Sequence, residues 1–110
     1  MDFRTIYDAL DFFRHRWTME ILASLQAQPK GFNDLQRSVN AVHATSFNQA
    51  LQRLVDHGLI SRPDPGARGQ VYALTPVGER AYPLIVAFVN ELGLWGEART
   101  NQEHQTRRSA

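Results

Sequence analysis

Between residues 44 and 56 the sequence sets donor and acceptor side chains on one side of a helical period. Thr45, Ser46, Gln49, Gln52, Arg53 and Asp56 share a polar face, while Phe47, Leu51, Leu54 and Val55 recur at i, i+4, i+7 and i+8 on the other. Glutamine offers an amide that both donates and accepts, arginine a fork of donors, and serine or threonine a short hydroxyl. These are the groups that pair with base edges in a major groove: Gln49 or Gln52 with adenine, Arg53 with guanine, Thr45 or Ser46 with a base edge or a phosphate. Each good bidentate pair is worth about 1–3 kcal/mol of discrimination between bases. The free amides at the start of the helix, from Ala44 onward, suit a phosphate. Arg68 lies in a loop further on, with Arg62 in its stem, where both could enter a minor groove or hold its phosphates. Gln49 and Arg68 lead this set. The alternative for each of these side chains is a plain solvated residue, and for His43 a helix cap rather than a contact.

Other chemistry finds little purchase. His15, His43, His57 and His104 are scattered, with no i, i+4 pair, so a metal site is not expected. Asp8 and Asp11 fall one turn apart on a helix whose outer face is simply solvated. No nucleophile-elbow, phosphate-loop or dinucleotide pattern occurs, and neither an enzyme nor a cofactor is expected. The absence of cysteine removes disulfides and thiol redox sensing. With 110 residues there is room for one domain and its core, and a net charge of +1 neither demands nor excludes nucleic acid. A hydrophobic fraction of 43% argues against global disorder. Neither a signal pattern nor a run long enough to cross a bilayer is visible, so a cytoplasmic protein with no membrane partner is expected.

The elements that must position the polar face follow from punctuation and period. Gly58 supplies the left-handed residue that stops a helix, and residues 59–62 and 71–74 read as strands around a loop, residues 63–70, rich in proline and glycine. Upstream, Phe32, Leu35 and Val39 make two turns of helix, with residues 40–42 as the turn into the next, a pairing that places a second helix for a major groove. Phe3, Ile6, Leu10, Phe13 and Trp17 stripe an opening helix; Ile21, Leu22 and Leu25 continue it, kinked or as a second helix, until residues 28–31 break it. Thr75 caps a last helix, with Pro76 at its first position and Glu79 in its first turn. Its stripe of Ala81, Leu84, Ile85, Phe88, Val89 and Leu92 crosses Pro83, which should kink the helix or split off its first turn. The stripe is too broad for one surface, so part of it is left to pair with a second copy. The expected division is a domain over residues 1–97 and a polar, solvated tail over residues 98–110. The fold class is mainly α with a small β-hairpin: a winged helix-turn-helix with N- and C-terminal dimerisation helices.

The succession Ala9-Leu10, Arg16-Trp17, Ile21-Leu22-Ala23-Ser24-Leu25, Phe32-Asn33-Asp34-Leu35, Leu51 and Leu54 ahead of Gly58-Leu59-Ile60, then Tyr72 and Leu74-Thr75-Pro76 with Gly78, resembles the HxlR-type family of bacterial winged-helix transcription factors, relatives of the MarR type. The resemblance covers about residues 8–96. It implies a homodimer, joined through the first and last helices, whose paired recognition helices bind a pseudo-palindromic operator in double-stranded DNA. Relatives often carry a cysteine near the start of the first helix, where this chain has Phe3, Arg4 and Thr5. Arg14-His15 replaces a glycine pair, His43 a serine, Thr45 a lysine, and Ala50 an arginine, which implies fewer phosphate contacts than usual. The wing keeps an arginine, Arg68, moved by one residue. A dimeric repressor is therefore the expected function. The aromatic surplus of Phe12, Phe13, Trp17, Phe88 and Trp95 is either core and dimer seam or a pocket for a small apolar effector. The rival reading, motivated by the near-neutral charge, is a winged-helix protein-interaction module without specific DNA binding.

Overall fold

Eleven apolar side chains between Ile21 and Ile60 close over one another to form the core, and the other elements are arranged around them. The computed structural model describes the backbone of residues 1–66 and 69–109, and the side chains of residues 1–66 and 69–93. The order is α1 (Phe3–Phe13), α2 (Thr18–Ala27), α3 (Phe32–Ser38), α4 (Ala44–Asp56), β1 (Ile60–Ser61), β2 (Ala73–Leu74) and α5 (Pro76–Ser109). Ile21, Leu22 and Leu25 of α2, Leu35 of α3, Ala41 of the turn, Phe47, Ala50, Leu51 and Leu54 of α4, then Leu59 and Ile60 are the buried set. Phe32 meets the ring of Phe47 edge-on, 5.3 Å between centroids.

The turn between α3 and α4 is fixed twice at one residue. The Ala41 N–H donates to the Gln36 carbonyl at 3.1 Å, and the Gln36 side-chain amide donates back to the Ala41 carbonyl at 3.0 Å. Asn40 takes the left-handed conformation, φ 62°, that asparagine tolerates better than most residues. At the other end of α4, Gly58 has φ 74°, its N–H reaches the Val55 carbonyl and that of Leu59 the Leu54 carbonyl, both at 3.0 Å. That pattern is a Schellman stop, and the buried pair Leu54 and Leu59 supplies its apolar contact.

The hairpin is shorter than the sequence predicts. Only Ile60 pairs with Leu74 and Ser61 with Ala73. A third strand position comes from the α2–α3 connection, which the sequence marks merely as a break: Lys30 and Tyr72 exchange backbone hydrogen bonds of 3.1 and 2.8 Å. Lys30 also caps the end of α2, its ammonium donating to the Ser24 carbonyl at 2.6 Å.

Thr75 starts α5 as its composition predicts. Its hydroxyl accepts from the Gly78 N–H at 3.1 Å and donates to the Gly58 carbonyl, so the same side chain ties the last helix to the end of α4. A Cβ on Gly78 would lie 2.1 Å from the Leu59 carbonyl oxygen, which is why no larger residue fits this crossing. Pro83 does not split α5, which stays helical through it, although proline has no N–H to offer the Glu79 carbonyl. The expected boundary after residue 97 falls within α5, and the tail's side chains lie outside the described residues.

At the other terminus, α1 and α2 are separate helices rather than one kinked one. The junction turns at Trp17, whose φ of 71° is left-handed, unusual for so bulky a residue. Arg14 and His15, which replace the glycine pair of relatives, are therefore not where the left-handed residue falls. The Arg16 guanidinium sits 4.6 Å from the Trp17 ring centroid.

Candidate nucleic-acid interface

The burial of Phe47, Ala50, Leu51 and Leu54 decides which side of α4 faces solvent. Ala44, Thr45, Ser46, Gln49, Gln52 and Asp56 are exposed and Arg53 is half-buried, so the polar face drawn from the sequence exists as one surface. One member was missed. Asn48 is exposed too, three residues after Thr45 and four before Gln52, so its helical spacing was enough to find it. Ala50 is 1% exposed and packs in the core. In this chain the position therefore lies on the core-facing side of α4 rather than on its polar face.

Three contacts shape the C-terminal half of the face. The Gln52 side-chain nitrogen donates to Asp56 Oδ1 at 2.8 Å, and its oxygen accepts a hydrogen bond from Arg62 Nη2. His57 Nδ1 lies 2.9 Å from the Arg53 carbonyl oxygen. The Arg53 Nε is buried without a hydrogen-bond partner, so this arginine is partly committed to the body of the domain. At the N-terminal end His43 precedes the first turn with φ −105° and makes no side-chain cap. The first amides of α4 are thus left open by the residue that a serine or threonine would have used to close them.

Arg62 is exposed immediately after β1, whereas Arg68 lies outside the described residues. The aromatic set is not gathered in one place. Phe12 and Phe13 line an open cleft of about 300 Å³ with Asp8, Ala9, His57 and Leu59, and the Phe12 ring lies 4.3 Å from the His57 imidazole. Trp17 packs on the core away from that cleft, Phe88 is exposed on α5, and the Trp95 side chain lies outside the described residues. Among the described residues no group of acidic, histidine or cysteine side chains is placed to hold a metal ion, and no helix is long and apolar enough to cross a membrane.

A helix-turn-helix with an exposed polar second helix, followed by a hairpin wing, defines a DNA-binding transcriptional regulator. The HxlR-like helix-turn-helix family matches residues 12–104, and the chain belongs to that family. Among solved structures it is similar to ytfH from Salmonella typhimurium, a protein described as a transcriptional regulator, at 28% identity over 88% of this chain and 89% of that one, with a TM-score of 0.65. A protein described as a MarR-family regulator from Enterococcus faecalis is 23% identical over 96% of this chain and 94% of that one, TM-score 0.70. Quinone-bound YodB from B. subtilis is 19% identical over 86% of this chain and 97% of that one, TM-score 0.65. Among curated proteins no significant match occurs.

Proposed function

We propose that the protein is a cytoplasmic, homodimeric repressor that acts by occupying a pseudo-palindromic operator rather than by catalysis. The observation that carries this reading is a pair of unpartnered apolar stripes. No side chain of α1 is buried, leaving Phe3, Tyr7 and Leu10 in solvent, and α5 exposes Leu84, Phe88, Val89 and Leu92. Stripes of this kind gain about 25 cal/mol for each Å² they remove from water, and a second copy of the chain offers the matching surface. Two-fold pairing then sets the two α4 helices for successive major grooves about 34 Å apart.

Within each half-site, Thr45, Asn48 and Gln49 face the base edges, while Ser46 and the amides from Ala44 meet a phosphate. Arg53, Arg62 and Arg68 supply positive charge along the backbone. The cleft under Phe12 and Phe13 is the place for a small apolar effector, joining α1 to the end of α4 through His57. The quinone of the YodB structure makes such a compound the first to try; lacking cysteine, this chain would hold it without a thiol adduct.

Footprinting on the DNA upstream of its own gene, with sedimentation equilibrium alongside, tests the reading. A dimer protecting two half-sites one helical turn apart is expected. A monomer with weak, sequence-indifferent binding at physiological salt would overturn it in favour of a protein-interaction module.

A further inference from the structure

We infer that Gln52 does not read a base: it holds the wing-stem arginine Arg62 against the recognition helix, so that wing and helix meet DNA as one unit. Gln52 is exposed on the face that approaches DNA, yet its amide is already engaged at both ends, the oxygen by Arg62 Nη2 and the nitrogen by Asp56 Oδ1 at 2.8 Å. The oxygen keeps a second lone pair and the nitrogen a second N–H, but the two bonds already made set the plane of the amide by Arg62 and Asp56 rather than by a base edge. Gln49, one turn earlier, carries no such bonds among the described residues and is left to read.

The order of charges explains why a neutral amide serves here. Along this surface stand a guanidinium, the negative end of the amide dipole, its positive end, and a carboxylate. Among the described residues the ion pairs are Asp11 with Arg14 and Asp34 with Arg37, and Arg62 belongs to neither. Its full charge therefore remains available to a phosphate while its position is set. A glutamate at residue 52 would neutralise that charge and repel Asp56; an apolar side chain would leave Arg62 unplaced. The link spans elements as well, because residue 52 lies in α4 and Arg62 follows β1. Arg62 is thereby registered to the helix from which bases are read.

The inference rests on the DNA-facing assignment of α4, and a double-mutant cycle on the footprinted operator tests it. Operator binding by Gln52→Ala, Arg62→Ala, the double variant and Gln49→Ala is measured by fluorescence anisotropy across a salt series and against single-base operator variants. Arg62→Ala should lower the slope of log K against log salt by about 1. Gln52→Ala should lower that slope too, weakening binding evenly across operator variants, and should add no loss to Arg62→Ala. Equal thermal midpoints for the three exposed-site variants show that the fold is not what changed. Independent, additive losses would overturn the inference. So would Gln52→Ala relaxing discrimination at one base pair with its salt slope intact, since that is the behaviour expected of Gln49→Ala. If Gln49→Ala and Arg62→Ala also leave binding unchanged, the assignment of the interface falls with it; if only Gln52→Ala is silent, the inference falls alone.

Discussion

A methyl group on Gly78 would sit 2.1 Å from the backbone oxygen of Leu59, which cannot move aside as the end of a side chain could. Gly78→Ala should therefore shift the first turn of α5 off the hairpin at a cost of about 1–3 kcal/mol, read as a lower chemical-denaturation midpoint with an unchanged slope. From the sequence Gly78 is recognisable as a packing or turn glycine, but not which backbone it approaches, since that partner lies nineteen positions away by the numbering. The face of α4 was legible for the same reason that Gly78's partner was not: helical period is local. Asn48 obeys that period as well as Gln49 does, and Ala50 departs from the polar face by it. Its burial shows that a position compared with relatives must first be placed on a face. Gln49→Ala should lose about 1–3 kcal/mol of binding and relax selectivity at a single base pair, measurable by competition with operator variants.

Helix ends were the most readable elements because caps are written in adjacent residues. Gly58 stops α4 and Thr75 starts α5 where the sequence predicts, and the two meet through one hydroxyl. The third strand position, Lys30 against Tyr72, was not legible, because a single-residue bridge between distant segments leaves no period behind. Of the two outcomes expected at Pro83, the splitting of α5 does not occur, because the helix continues on both sides of it. Recognition depends on α4 being seated, and Phe47 is the largest side chain that seats it. Phe47→Ala should cost about 3–5 kcal/mol, a large share of the roughly 5–15 kcal/mol that holds an ordinary domain folded, so that on heating operator binding and the circular dichroism of the helices are lost together at a lower midpoint.

For the molecule as a whole, the net charge is only +1, and the exposed stripes of α1 and α5 are the large apolar surfaces among the described residues. Phe88→Asp, at a site 57% exposed in one protomer, should leave the thermal midpoint of the body within a few degrees but shift sedimentation equilibrium toward monomer and weaken operator binding. The apolar faces of α1 and α5 were legible as helical periods, whereas the absence of any buried residue in α1 was not foreseeable, since period gives a face but not what covers it. That absence has a consequence for abundance. A helix joined to its domain through the left-handed Trp17 and seated by Phe12 and Phe13 opens cheaply in a lone protomer, so its amides should exchange hydrogen fastest in dilute protein and slow as concentration rises. In the dimeric repressor proposed above, ordering of α1 would follow mass action, and repression would rise more steeply than copy number. The same uncovered helix would let the cell count its own regulator.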